Sequence, residues 1–280
     1  MRSLRAPRAR LVPVLAVSAA LAACASSTPP AAGDTCSVFF GSPVAQTGLT
    51  SAQCAPSCSC AGATFTPPTY DAAFIARLVS DWAIETPFPE VTTDPYLEAP
   101  PATDPDAMVC GVLPVGPAGA VPRTYRLVTY ASEAAALAAG AKVTHFGHCA
   151  VCSTLEDLAV YVRENDLTAK VRNCGLNGLT PATFDQDLAC LRGLGFTLPC
   201  AQVWAYNTQN TRNHCLSECL PALTAAYNLP DGSLNPCLQC DETQSGPVFK
   251  WKAGRTRRNC GLPNSICRPC SEVRPLVHAY

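Results

Sequence analysis

Eighteen cysteines in 280 residues constrain this fold more than any other feature, because sulfur at that density is committed either to disulfides or to metal. Three Cys-x-x-Cys pairs, Cys149/Cys152, Cys237/Cys240 and Cys267/Cys270, keep both options open on spacing alone. In a reducing compartment two such pairs make a tetrahedral thiolate site for zinc. In an oxidising one their members pair with cysteines elsewhere and cross-link the chain. The compartment therefore decides the fold, and the N-terminus bears on the compartment.

Arg2, Arg5, Arg8 and Arg10 precede an apolar, alanine-rich run from Leu11 to Ala23. That run is well short of the roughly 20 residues a membrane-spanning helix needs, and nothing later is longer or cleaner, so residues 1–23 read as an export signal outside the fold. The run ends in Leu21-Ala22-Ala23-Cys24, which resembles the lipobox of bacterial lipoproteins. The resemblance implies that Cys24 is diacylated, with palmitate among the acyl groups, and becomes the new N-terminus. It makes a membrane of the cell envelope one partner, and Ala25, in place of an aspartate, points to the outer membrane over the inner. Two or three chains hold a domain firmly where one is marginal, at about 0.8 kcal/mol per buried methylene. Residues 24–35, with Ser, Thr, Pro and Gly prominent, are expected to form a flexible tether.

Removing the signal takes away four of the twenty basic residues and none of the twenty-one acidic ones, so the mature chain is net acidic and nucleic acid is disfavoured as a partner. Export also settles the cysteines mainly as disulfides. Without Cys24 seventeen remain, an odd number, so at least one is free, bound to a metal or cross-linked to another chain. Five (Cys36, Cys54, Cys58, Cys60, Cys110) precede His145 and twelve run from Cys149 to Cys270; if the two groups pair internally, the odd cysteine is N-terminal.

The expected fold class is α+β, a small strand–helix–strand N-terminal part followed by a disulfide-rich, mainly helical C-terminal part. We divide it into a Cys/Pro-rich region 36–122 with one helix and a domain 123–280, mostly helical after residue 153. Phe74, Leu78 and Trp82, with Ile75 and Val79 alongside, share one helical face between Asp71 and Ile84. Nine prolines from Pro87 to Pro122 exclude regular helix and suggest an extended connector. A strand at Thr124–Tyr130, a helix at Glu133–Ala139 introduced by Ser132 and a strand at Lys142–Phe146 follow. Ser153 and Glu156 then form a capping box ahead of the stripe Leu155, Leu158, Ala159 and Val162. Further helices are expected from Thr180-Pro181 to Gly193 and from Arg212 to Tyr227, the latter with Cys215 and Cys219 one turn apart and suited to two separate disulfides.

Two segments carry candidate chemistry. In His145-Phe146-Gly147-His148-Cys149-Ala150-Val151-Cys152, the residues His145, His148, Cys149 and Cys152 are nitrogen and sulfur ligands suited to Zn or Cu, or a thiol-redox pair at a helix start. The alternative is structural, each cysteine bonded to another helix. The second segment, Lys250 to Asn259, concentrates cations on an acidic chain. Arg255, Arg257 and Arg258, with Arg212 from the amide-rich stretch Asn207–Asn213, could clamp an anionic small molecule as an enzyme or receptor would, or pair with acids such as Asp241 and Glu242. No nucleophile elbow, phosphate loop or zincin motif names a reaction. Three classes of function follow: a structural or binding lipoprotein, a metal or redox protein, and a protein acting on an anion.

Overall fold

The computed structural model describes residues 39–60, 63–98, 108–177 and 180–280. The chain divides into Met1–Gly33 and Asp34–Tyr280. The export signal, Cys24, the tether and Cys36 lie outside the described residues.

Strand β1 (Phe39–Phe40) pairs parallel to β2 (Cys54–Ala55) and, on its other edge, antiparallel to Arg268–Pro269 near the C-terminus. Ladders of two residues bury little, so the Cys54–Cys267 disulfide holds this corner. It passes over Gly41, where an added Cβ would lie 2.8 Å from Cys54 Sγ. Next come the antiparallel pair β3 (Cys58–Cys60) and β4 (Ala63–Phe65).

Helix α1 (Ala72–Ser80) starts where the Asp71 carboxylate accepts from the Phe74 N–H, and it buries Leu78. It ends before the expected Ile84. Trp82–Ile84 is instead strand β5, parallel to the start of β7, so Trp82 leaves the helical face for a sheet edge. Strands β6 (Val109–Pro114), β7 (Arg123–Tyr130) and β8 (Lys142–Phe146) complete a sheet of order β5-β7-β6-β8. The expected strand–helix–strand unit is present, with α2 (Glu133–Ala138) capped by Ser132 between β7 and β8. Those two strands do not pair with each other: β6, antiparallel to both, lies between them. It comes from the proline-rich stretch read as a connector, and its Val109, Cys110 and Val112 are buried.

This sheet removes the boundary expected at residue 122, since β5 and β6 precede it while β7 and β8 follow it. One core takes in Leu78 of α1, Val109, Val112 and Tyr125 of the sheet, and the apolar faces of the helices beyond. Helix α3 (Leu155–Arg163) is capped by Thr154, which accepts from the Asp157 N–H. Ser153, the expected cap, has its hydroxyl engaged by the Ala150 N–H and by His145.

Helices α4 (Leu167–Gly175) and α5 (Phe184–Gly193) are joined by Cys174–Cys190, with the small ladder β9 (Leu176–Asn177) and β10 (Thr180–Pro181) between them. The α5 cap is Thr183 in a capping box with Gln186, because Thr180-Pro181 is taken by the ladder. Helix α6 (Leu198–Cys219) begins far ahead of Arg212, absorbs the amide-rich stretch and ends before Pro221. Asp157 anchors its start, accepting from the backbone N–H and hydroxyl of Thr197 at 2.8 and 2.9 Å. Against α6 lies α7 (Pro236–Gln244), tied to it by both Cys215–Cys240 and Cys219–Cys237, and then α8 (Gly246–Ala253). Arg268–Pro269 is β11.

Cys54–Cys267 and Cys110–Cys149 cross the division between N-terminal and C-terminal cysteines, so the two groups do not pair internally. Six disulfides are present among the described residues, the inventory of an extracytoplasmic protein. Among the same residues no helix is long and apolar enough to cross a membrane.

Candidate functional site

The His145–Cys152 segment is a structural hub. Cys149 bonds to Cys110 on β6 and Cys152 to Cys200 on α6, so neither sulfur is a thiolate for metal or exchange. His145 is fully buried between the Phe146 carbonyl, which accepts from Nδ1 at 3.0 Å, and the Ser153 hydroxyl, which donates to Nε2 at 2.7 Å. Burial, and then the Arg255 charge, hold its basicity well below the usual histidine value, so it is neutral. The His148 ring lies 4.0 Å from that of Trp251, and burial lowers its basicity too. No group of three or more His, Cys, Asp or Glu placed to hold a metal occurs among the described residues. The sulfurs of Cys149 and Cys152 therefore staple and the imidazoles of His145 and His148 pack, an arrangement that differs from the Zn or Cu ligand set or thiol-redox pair the spacing suggested.

The arginines are equally committed. Arg255 is 0% exposed and donates to the carbonyls of Cys152, Thr144 and Ser153 and to the Thr144 hydroxyl. Its donors are turned onto the chain's own oxygens and it does not line the cavity between α4, α6, α7 and α8, so it is not placed to clamp an anion as the sequence suggested. Gly254 beside it requires φ +75°, and an added Cβ would meet His148 O at 2.8 Å, so the α8 terminus can close onto the hub only as glycine. Arg257 donates to the carbonyls of Pro263, Tyr161 and Glu164. Arg258 pairs with Glu242 and Glu272, and Arg268 with Glu242, so the pairing with Glu242 weighed from the sequence is present. Arg212 ties Gly175 O and Ala182 O together.

Arg212, Arg257 and Arg258 nonetheless share one surface, the wall of a cavity of about 680 Å³ between α4, α6, α7, α8 and the segment 256–268. Its walls are mainly apolar. Tyr161 and Phe249 lie on the buried side, while Leu216 and Leu220, 48% and 58% exposed, mark the rim. Trp204 packs against Phe249 at 4.4 Å between ring centres. Six basic residues line it against two acids, Asp241 and Glu242. Arg172, Arg212 and Arg257 make no ion pair among the described residues; their hydrogen bonds go to neutral carbonyls, while Asp187 acts on Arg212, and Asp166 and Glu164 on Arg257, without direct contact. Asp241 is raised by burial and accepts from Thr211 and Asn207, so the amides of α6 zip that helix to α7 instead of lining the void as free donors. No local motif announces this cavity, because its walls come from segments dispersed over a hundred residues.

Behind it, Asp187 of α5 is 1% exposed, and neither carboxylate oxygen has a hydrogen-bond partner. Burial pushes its pKa up to about 6, against smaller lowering effects of Thr208 and Arg212. Between the ordinary carboxylate range and about 6 the folded chain keeps a proton that the unfolded chain has lost, so stability falls as pH rises through that window. Asp187→Asn is expected to stabilise the protein by on the order of 1–2 kcal/mol above pH 6 and to change little near pH 4. Thermal melts of both proteins at pH 4, 5, 6 and 7.5 check this; a constant difference would contradict it.

Residues 184–275, which carry α5 to α8 and much of the cavity wall, match the model of a family of unknown function, DUF8771. No curated protein and no solved structure matches the chain.

Proposed function

We propose that the protein is a lipid-anchored binding protein of the cell envelope, held at Cys24, whose helical half takes up a small, largely apolar molecule bearing an anionic group. The observation that carries this reading is the cavity: about 680 Å³, apolar on most of its surface, with an excess of arginine charge on its wall. That volume is within the range of sites that enclose drug-sized ligands. Arginines whose hydrogen bonds go to carbonyls, with no carboxylate in direct contact, keep charge that can attract an anion. The disulfides tying α6 to α7 and to the hub keep the void open by limiting the ways those helices can collapse.

The test uses 1-anilinonaphthalene-8-sulfonate, an apolar body with one anionic group. Saturable, single-site fluorescence enhancement is expected, with Leu216→Glu at the exposed rim weakening it by about tenfold through like-charge repulsion, about 1.4 kcal/mol. Equal weak enhancement by both proteins, without saturation, would remove the reading. Recovery of a diacylated Cys24 peptide from membranes tests the anchor separately.

A further inference from the structure

Two thiols, Cys58 at the start of β3 and Cys270 just after β11, are unpaired and buried, 8% and 3% exposed. They belong to one compact cluster with Phe40 and Val273, packed against Phe65 and Cys60. Their segments are already stapled. Cys54, four residues before Cys58, bonds to Cys267, three residues before Cys270, with a Cα–Cα distance of 6.1 Å. The same two stretches therefore leave this bond side by side and bring a second pair of cysteines into one cluster. We propose that Cys58 and Cys270 are the site of a further disulfide, closed in the mature protein by a thiol–disulfide oxidoreductase of the exporting compartment.

The chemistry balances. The Cys58 thiolate attacks the oxidant's disulfide, forming a mixed disulfide and expelling one oxidant thiolate; the Cys270 thiolate then displaces the second. Two protein thiols lose two protons and two electrons, and the oxidant disulfide becomes two thiols. Burial pushes the Cys58 thiol up, so exchange belongs to folding, before the cluster shuts. Among the described residues Cys260 is then the one remaining thiol, fully buried beside Arg255 and Arg257.

Differential alkylation of the full-length chain, exported through an oxidising compartment, tests this. Free thiols are labelled with a light reagent under denaturing conditions, then disulfides are reduced and labelled with a heavy one. Cys58 and Cys270 are expected to carry the heavy label and Cys260 the light one. Cys58→Ser should move Cys270, and no other cysteine, from heavy to light while Cys54 and Cys267 stay heavy, and should lower the melting temperature by a few degrees. Light label on both Cys58 and Cys270 in the native protein overturns the proposal. Release of a different cysteine by Cys58→Ser overturns it equally.

Discussion

Arg255→Met is expected to destabilise the protein by about 3–5 kcal/mol, while Arg258→Met on the surface costs less than about 1 kcal/mol. Arg255 is the largest fully buried side chain. Its fork gathers Thr144 at the end of the sheet and Cys152 and Ser153 at the entry to α3, with donor distances of 2.8 to 3.1 Å. Methionine fills much of the volume but leaves three carbonyls and a hydroxyl without a donor, at about 1–3 kcal/mol for each acceptor water cannot reach. Lysine supplies one point charge where a planar fork is needed, so Arg255→Lys should recover less than half of the loss. Arg258 lies between Glu242 and Glu272 with a third of its side chain exposed, where solvent replaces the pair at little cost. Urea unfolding with disulfides intact measures all three. An Arg255→Met midpoint equal to that of Arg258→Met would refute the assignment of Arg255 as the hub.

The sequence displays Arg255 and Arg257 alike, as neighbouring cations, because the feature separating them from Arg258 is a set of backbone carbonyls, and every residue type has one. Acidic partners leave a trace in composition: Glu242 could be weighed against the arginines from the sequence, and the structure joins it to Arg258. Periodicity is informative where a helix has one wet face, as in α1 and α3, whose buried Leu78, Leu155 and Leu158 fall on the expected stripes. Helix α6 is hidden for the opposite reason. It is contacted on several sides by α4, α5, α7 and α8, and Asn207, Asn210 and Thr211 bond across to α7, so its buried faces are partly polar and no apolar stripe marks them. Strand β6 is concealed by the prolines before it, although its run from Val109 to Leu113 is apolar. The His145–Cys152 segment resembles a metal site in one dimension because the same residue types suit ligation and packing. What decides between them is the position of Cys110 and Cys200, each tens of residues away.

Removing the Cys152–Cys200 bond with Cys152→Ala and Cys200→Ala is expected to cost about 4 kcal/mol, from closure of a 48-residue loop in the unfolded chain. Both half-cystines are 0% exposed, so loss of buried sulfur adds a packing defect at the junction of the hub and α6. The Cys174–Cys190 bond closes only a 16-residue loop, and of its two half-cystines Cys174 is in the core while Cys190 is exposed, so removing it in the same way should cost about 3 kcal/mol and a smaller packing defect. The two variants should differ in function more than in stability. Trp204 follows Cys200 by one helical turn and stands in the cavity wall, so freeing the start of α6 loosens the Trp204–Phe249 contact. The Cys152/Cys200 variant should then bind 1-anilinonaphthalene-8-sulfonate more weakly even at temperatures where it is fully folded, while the Cys174/Cys190 variant, which frees only the end of α4 at the wall, should lose less affinity. Urea midpoints in the reverse order, or equal probe affinity in both folded variants, would show that the staple between hub and helix does not set the shape of the cavity.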